Sequence, residues 1–144
     1  MQDLDAEILR LLRKDGKLTY EQVGKALGRS PSTIRDRIKR MERDRTILGY
    51  SAVVDESRLG VGITAFISAD IPPDRLSEAM AALNSLENVS ELMHLTGERR
   101  MLMKVQAVDS SQLMDFVDRS IRPLGFEDLD IMVVMAPIIR FPGL

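Results

Sequence analysis

The run TYEQVGKALGRSPSTIRDRIKRME, Thr19 to Glu42, carries the densest structural punctuation in this 144-residue chain. Thr19 and Gln22 have the spacing of a capping box, in which each side chain satisfies a backbone N–H that the first helical turn leaves open. Val23, Ala26 and Leu27 give the segment an apolar face, and Gly28 is placed to end it. Ser30 can then cap a new helix with Pro31 in its first position, where the missing N–H costs nothing. Ile34, Ile38 and Met41 follow at i, i+4 and i+7, the stripe of a helix packed on one side. Upstream, Leu4, Ile8, Leu11 and Leu12 predict another helix, with Gly16 expected to stop it in the left-handed conformation. Three short helices with a tight turn between the second and third are a helix-turn-helix.

Charge gives this motif a direction. The chain has a net charge of −2, yet residues 1–55 hold twelve Lys and Arg against nine Asp and Glu, while the remainder is net acidic. Between Arg29 and Arg45, seven cations face three anions. A local basic face on an acidic protein is the electrostatic footprint of polyanion binding. A solvated face with no partner is the competing reading, but it would interleave both signs more evenly.

On the third helix, Ser32, Asp36, Lys39, Arg40 and Arg43 point away from the Ile34, Ile38 and Met41 stripe. In a major groove, Ser32, Thr33, Arg35 and Asp36 near the helix start would lie closest to base edges. Arg29, Arg37, Lys39 and Arg40 are better placed for phosphates, which fix register without reading sequence. With Ser30 at the cap, the predicted DNA-contacting set is Arg29, Ser30, Ser32, Thr33, Arg35, Asp36, Arg37, Lys39 and Arg40.

Beyond Thr46 the pattern changes. TILGYSAVVD is rich in β-branched and aromatic residues and predicts a strand or a two-stranded wing. From Gly60 the order is β-α-β-β-α-β: VGITAFISADI, a helix through Leu76, Met80 and Leu83, two strands joined near Thr96 to Arg100, a helix through Leu113, Phe116 and Val117, and GFEDLDIMVVM. That is a ferredoxin-like unit with both helices on one face of an antiparallel sheet. Its other face needs cover, which predicts at least a homodimer. The chain therefore reads as α+β, with a helix-turn-helix domain over 1–47, a linker or wing over 48–60, and a ferredoxin-like βαββαβ domain over 61–144.

Composition narrows the function classes. There is no Cys and a single His, His94, which leaves little for thiolate metal sites, disulfides or a catalytic dyad. No catalytic, metal or cofactor site is expected. No apolar run reaches the roughly 18 residues of a membrane span, and the basic start of a signal peptide is lacking, so a cytoplasmic protein is expected. The nine methionines fall mostly on apolar positions and read as core or interface filling.

The blocks LDAEILRLLRKDGKLTYEQVGKALGRSPSTIRDRIKRME, ILGYSAVVD, VSELMHLTGERRMLMKV and LGFEDLDIMVVM together resemble the leucine-responsive regulatory protein/asparagine-synthesis regulator (Lrp/AsnC) family of transcription factors. The first block, with its Asp-x-x-Ile-Leu start, its Ser-x-x-Thr-Ile turn and Arg37, is the most specific. The resemblance implies an N-terminal winged helix-turn-helix that binds double-stranded DNA and a C-terminal domain that senses small amino acids. It also implies dimers that assemble into octamers. Carried onto this chain, the effector site falls at Gly97, Glu98, Arg99 and Arg100.

Four positions depart from that pattern: Arg45 stands where a Gly is usual, Arg29 where an apolar residue is usual, Arg100 where an Asp would pair with a ligand ammonium, and Ile131 where a Thr is common. An Arg at 100 repels an ammonium, so the effector is held another way, is anionic, or the site is vestigial. The same architecture also carries sirohaem decarboxylases, for which His94, Arg99 and Arg100 are the available residues.

Overall fold

The computed structural model describes residues 3–98 and 100–138. The chain divides into two compact units, the first running to Val54 and the second over Asp55–Pro137.

The first unit is helical: α1 Asp3–Lys14, α2 Tyr20–Leu27 and α3 Pro31–Arg43. Ile8, Val23, Ile34, Ile38 and Met41 are buried together, so the three apolar stripes meet in one small core. The expectation for Gly16 fails, since its φ is not in the left-handed region. Instead α1 closes through Asp15, whose N–H reaches Leu11 O and whose carboxylate accepts the N–H of Lys17 at 2.9 Å.

The strand or wing expected in 48–60 does not form within the chain. Residues 48–55 have no ladder, and Glu56–Leu59 winds into a 3₁₀ turn. A strand needs a neighbouring edge, and the described residues of this unit present none. Asp55 caps the turn, accepting from the Ser57 N–H and hydroxyl.

The second unit follows the predicted order: β1 Ile63–Asp70, α4 Leu76–Leu83, β2 Val89–His94, β3 Met101–Ala107, α5 Ser110–Phe116 continuing through a π turn to Ile121, and β4 Glu127–Val133. The strands form one antiparallel sheet in the order β2-β3-β1-β4. Ala65, Ile67, Ala69, Met101, Met103 and Val105 alternate onto the face covered by Ala79, Leu83, Leu113, Val117 and Ile121. Met80, expected on the core stripe of α4, is 44% exposed; the smaller Ala79 takes the buried place.

The opposite sheet face carries Phe66 between Lys104 and Met132, and Leu102 between Met93 and Ser68. Met93 and Met132 are exposed there, and no helix among the described residues covers them. Among the described residues no helix is long and apolar enough to cross a membrane.

Candidate nucleic-acid interface

The turn between α2 and α3 is built by local hydrogen bonds. Thr19 Oγ1 accepts the Gln22 N–H at 3.2 Å and Gln22 Oε1 accepts the Thr19 N–H at 2.8 Å, completing the capping box. Gly28 ends α2 at φ 63°, and the Arg29 N–H returns to Gly24 O at 2.9 Å. Gly24 is there because nothing larger fits: a Cβ on it would lie 2.6 Å from Arg29 O. Ser30 then caps α3, its hydroxyl accepting the Thr33 N–H at 3.2 Å and sharing hydrogen bonds with the Ser32 and Thr33 hydroxyls.

Beyond the cap, α3 turns Ser32, Thr33, Arg35, Asp36, Lys39, Arg40 and Arg43 outward, all exposed, while Ile34, Ile38 and Met41 are buried. Arg29 is also exposed, in the turn itself. Arg35 Nε lies 3.2 Å from Asp36 Oδ1 on the outer surface. Of the predicted set, Arg37 and Arg40 have a second role. Both reach across to Asp5 of α1, Arg37 Nη1 at 3.3 Å from Oδ1 and Arg40 through Nη2 to Oδ2. Asp5 is 3% exposed, a buried charge tolerable because two guanidiniums pair with it. In the sequence this Asp stands out only as the start of the Asp-x-x-Ile-Leu run; its burial at a helix start opposite two arginines 32 and 35 positions away is a tertiary fact no spacing rule displays.

The far end of α3 is tied down by two further carboxylates. Asp44 Oδ1 accepts both the hydroxyl and the N–H of Thr46, at 2.6 and 3.0 Å, and these bonds hold its pKa below the ordinary carboxylate value. Arg45, which stands where a Gly is usual, takes the left-handed conformation at φ 61°, a strained one for a residue with a Cβ. Tyr50 donates its hydroxyl to Glu42 Oε1 at 2.9 Å. Partial burial and that carboxylate raise the phenol pKa to about 12.

In the second unit, Gly97 at φ 95° turns the β2–β3 hairpin, with Glu98 exposed beside it. Arg99 lies outside the described residues. The Arg100 N–H donates to Asp70 Oδ1 at 3.2 Å, and its carbonyl accepts the Leu95 N–H. Ile131 packs on the helix-covered core, opposite Ile67. His94, paired with Met101 at the end of β2, is exposed.

Residues 1–42 match the AsnC-type helix-turn-helix domain and residues 64–144 the Lrp/AsnC ligand binding domain. The chain belongs to the Lrp/AsnC family. The HTH-type transcriptional regulator FL11 of Pyrococcus furiosus is 32% identical over 135 residues, covering 94% of this chain and 89% of that protein. The structure of Escherichia coli AsnC superposes with a TM-score of 0.84 at 25% identity, over 97% of this chain and 95% of that one. A Neisseria meningitidis transcriptional regulator, solved as an L-Met complex, shares the fold with a TM-score of 0.90 at 24% identity, over 100% and 96%. Like its Lrp/AsnC relatives, the chain is a DNA-binding transcriptional regulator with a ligand-binding domain.

Proposed function

We propose that this Lrp/AsnC regulator is a cytoplasmic, non-enzymatic homodimer that lays α3 in the major groove of duplex DNA and answers to an amino acid bound by its C-terminal domain. The observation that carries the reading is the outward face of α3, where Ser32, Thr33, Arg35, Asp36 and Lys39 stand exposed on a helix capped at one end and tied down at the other. Base edges fall to Ser32, Thr33, Arg35 and Asp36, and phosphates to Arg29, Ser30 and Lys39. Arg37 and Arg40 hold α3 against α1 through Asp5, and Arg40, with 44% of its side chain in water, also faces the backbone of the DNA. Residues 1–47 serve as the reading head, 48–60 as the linker and 61–144 as the sensing and assembly domain.

Dimerisation covers the apolar residues left open on the sheet, which are Phe66, Leu102, Met93 and Met132. Two reading heads then engage successive major grooves about 34 Å apart. The effector site is the hairpin of Gly97, Glu98, Arg99 and Arg100, where a guanidinium at 100 suits the carboxylate of an amino acid better than its ammonium.

The test is a gel shift on the DNA upstream of the protein's own gene, with random duplex as control. Lys39→Ala should weaken both duplexes alike, and Arg35→Ala should reduce the preference for the specific one. No shift of either duplex at micromolar protein in dilute buffer would overturn the proposal.

A further inference from the structure

Among the described residues, the carboxylates of and against α3 other than Asp36 tie it to another segment of the chain. Asp5 takes Arg37 and Arg40, Glu42 accepts from Tyr50, and Asp44 accepts twice from Thr46. Asp36 does none of these things. It is the sixth residue of α3, beyond the first turn where a carboxylate gains from the helix dipole, and Ser30 already fills the cap. Its side chain is 70% exposed, and its hydrogen-bonding partner among the described residues is the neighbouring Arg35, itself 49% exposed. An adjacent, solvated ion pair contributes little to stability.

The position of Asp36 makes its charge costly for binding. It lies between Arg35 and Lys39 on the face offered to a polyanion, where a carboxylate repels phosphate. Such a group favours binding only where the DNA presents a hydrogen-bond donor, and in the major groove the donors are the exocyclic amines of cytosine and adenine. Adenine sets its N7 acceptor beside N6, which opposes the second carboxylate oxygen. Cytosine N4 has no acceptor of its own ring beside it on that edge, and its partner guanine offers O6 and N7 to a guanidinium.

We infer that Asp36 is a specificity-determining residue that accepts a hydrogen bond from cytosine N4, with Arg35 released from it to the guanine of the same or the next pair. This rests on α3 being the recognition helix. The half-site therefore contains a C·G pair whose identity is enforced by Asp36, partly through exclusion of bases that offer it no donor.

The experiment selects binding sites from a randomised duplex pool with the full chain, wild type and two variants, Asp36→Ala and Asp36→Asn. In the wild-type site one cytosine should be fixed, and replacing it in a defined duplex should weaken binding about 10-fold. For Asp36→Ala, duplexes differing at that base should bind within about twofold of one another, with random DNA bound more tightly than by wild type. Asp36→Asn should move the preference from cytosine to adenine, since an amide pairs with N6 and N7. If both variants return the wild-type site with its cytosine preference intact, the assignment to Asp36 is wrong while α3 remains the reading helix. If the wild type enriches no sequence at all, the recognition-helix reading falls and this inference with it.

Discussion

Asp5 on α1 and Arg37 on α3 meet at 3.3 Å, and Arg40 closes on the same carboxylate one helical turn further along. The pair of arginines converts a buried charge into a clamp between the first helix and the third. Removing Asp5 should therefore cost more than removing either partner. The two guanidiniums keep 27% and 44% of their side-chain surface in water, so Asp5→Ala does not strand a fully buried charge. A loss of about 2 kcal/mol is expected, the scale of two hydrogen bonds to charged groups less what water returns. Arg40→Ala should cost about half that, because Arg37 still pairs with Asp5. Urea unfolding of the three proteins checks the order, and an Asp5→Ala midpoint equal to wild type would remove the clamp.

Arg45 at φ 61° ends α3 in a conformation that penalises a Cβ. Arg45→Gly should stabilise the protein by about 1 kcal/mol, partly offset by the greater freedom of glycine in the unfolded chain. Arg45→Ala should bring no such gain, since the Cβ remains. Thermal melts of the two variants separate backbone strain from any effect of the lost charge.

The legible parts of this molecule are those written in local chemistry. Thr19 with Gln22, Gly28, and Ser30 with Pro31 fix their helix ends within a few residues, and all three signals appear as read. The β-α-β-β-α-β order was equally open to inspection, because runs such as VGITAFISADI and GFEDLDIMVVM have strand composition and form the strands expected of them. Gly16 misled because a glycine after a helix is only a permission, and the Asp15 turn satisfied the chain end first. Residues 48–55 misled because strand composition is realised only where another edge exists. Arg37 and Arg40 were legible as cations on α3, but their pairing with Asp5 depends on how α1 packs, which no local pattern encodes.

Gly24 sits inside α2, where alanine would ordinarily favour the helix by nearly 1 kcal/mol. Here Gly24→Ala should destabilise by about 1–3 kcal/mol, because the new methyl meets Arg29 O at 2.6 Å and the turn must open to admit it. Opening the turn displaces Arg29 and the Ser30 cap, so affinity for specific DNA should fall along with stability. An alanine variant as stable as wild type and equal to it in gel shift would show that the turn yields without strain.

Phe66 lies at the centre of the open sheet face, flanked by Lys104 and Met132. If a second copy covers that face, Phe66→Arg should shift sedimentation toward monomer and weaken DNA binding more than one half-site accounts for, since two linked heads gain from effective concentration. The covered core on the other side of β1 is untouched by the change, so far-UV circular dichroism should stay the same. Unchanged sedimentation with the arginine in place would move the dimer contact elsewhere.

Tyr50 links the residues after α3 back to the helix through Glu42, and its pH behaviour tests that link. The phenol pKa is raised to about 12, first by burial and then by the carboxylate that accepts its hydrogen bond. In the unfolded chain it ionises near the reference value of about 10. Below that pH both states hold the proton and the contribution of the bond is fully present. As pH climbs from about 10 toward 12 the unfolded state loses its proton first, so stability falls across that window. The chain has two tyrosines, Tyr20 and Tyr50, so phenolate absorbance is simple to divide. In a Tyr20→Phe background, which also removes the smaller contribution of the Tyr20 charge, the remaining absorbance should still rise later than that of a free phenol, and Glu42→Gln should bring it earlier by removing the carboxylate. A midpoint that Glu42→Gln leaves in place would mean that the Glu42 charge does not raise the phenol pKa.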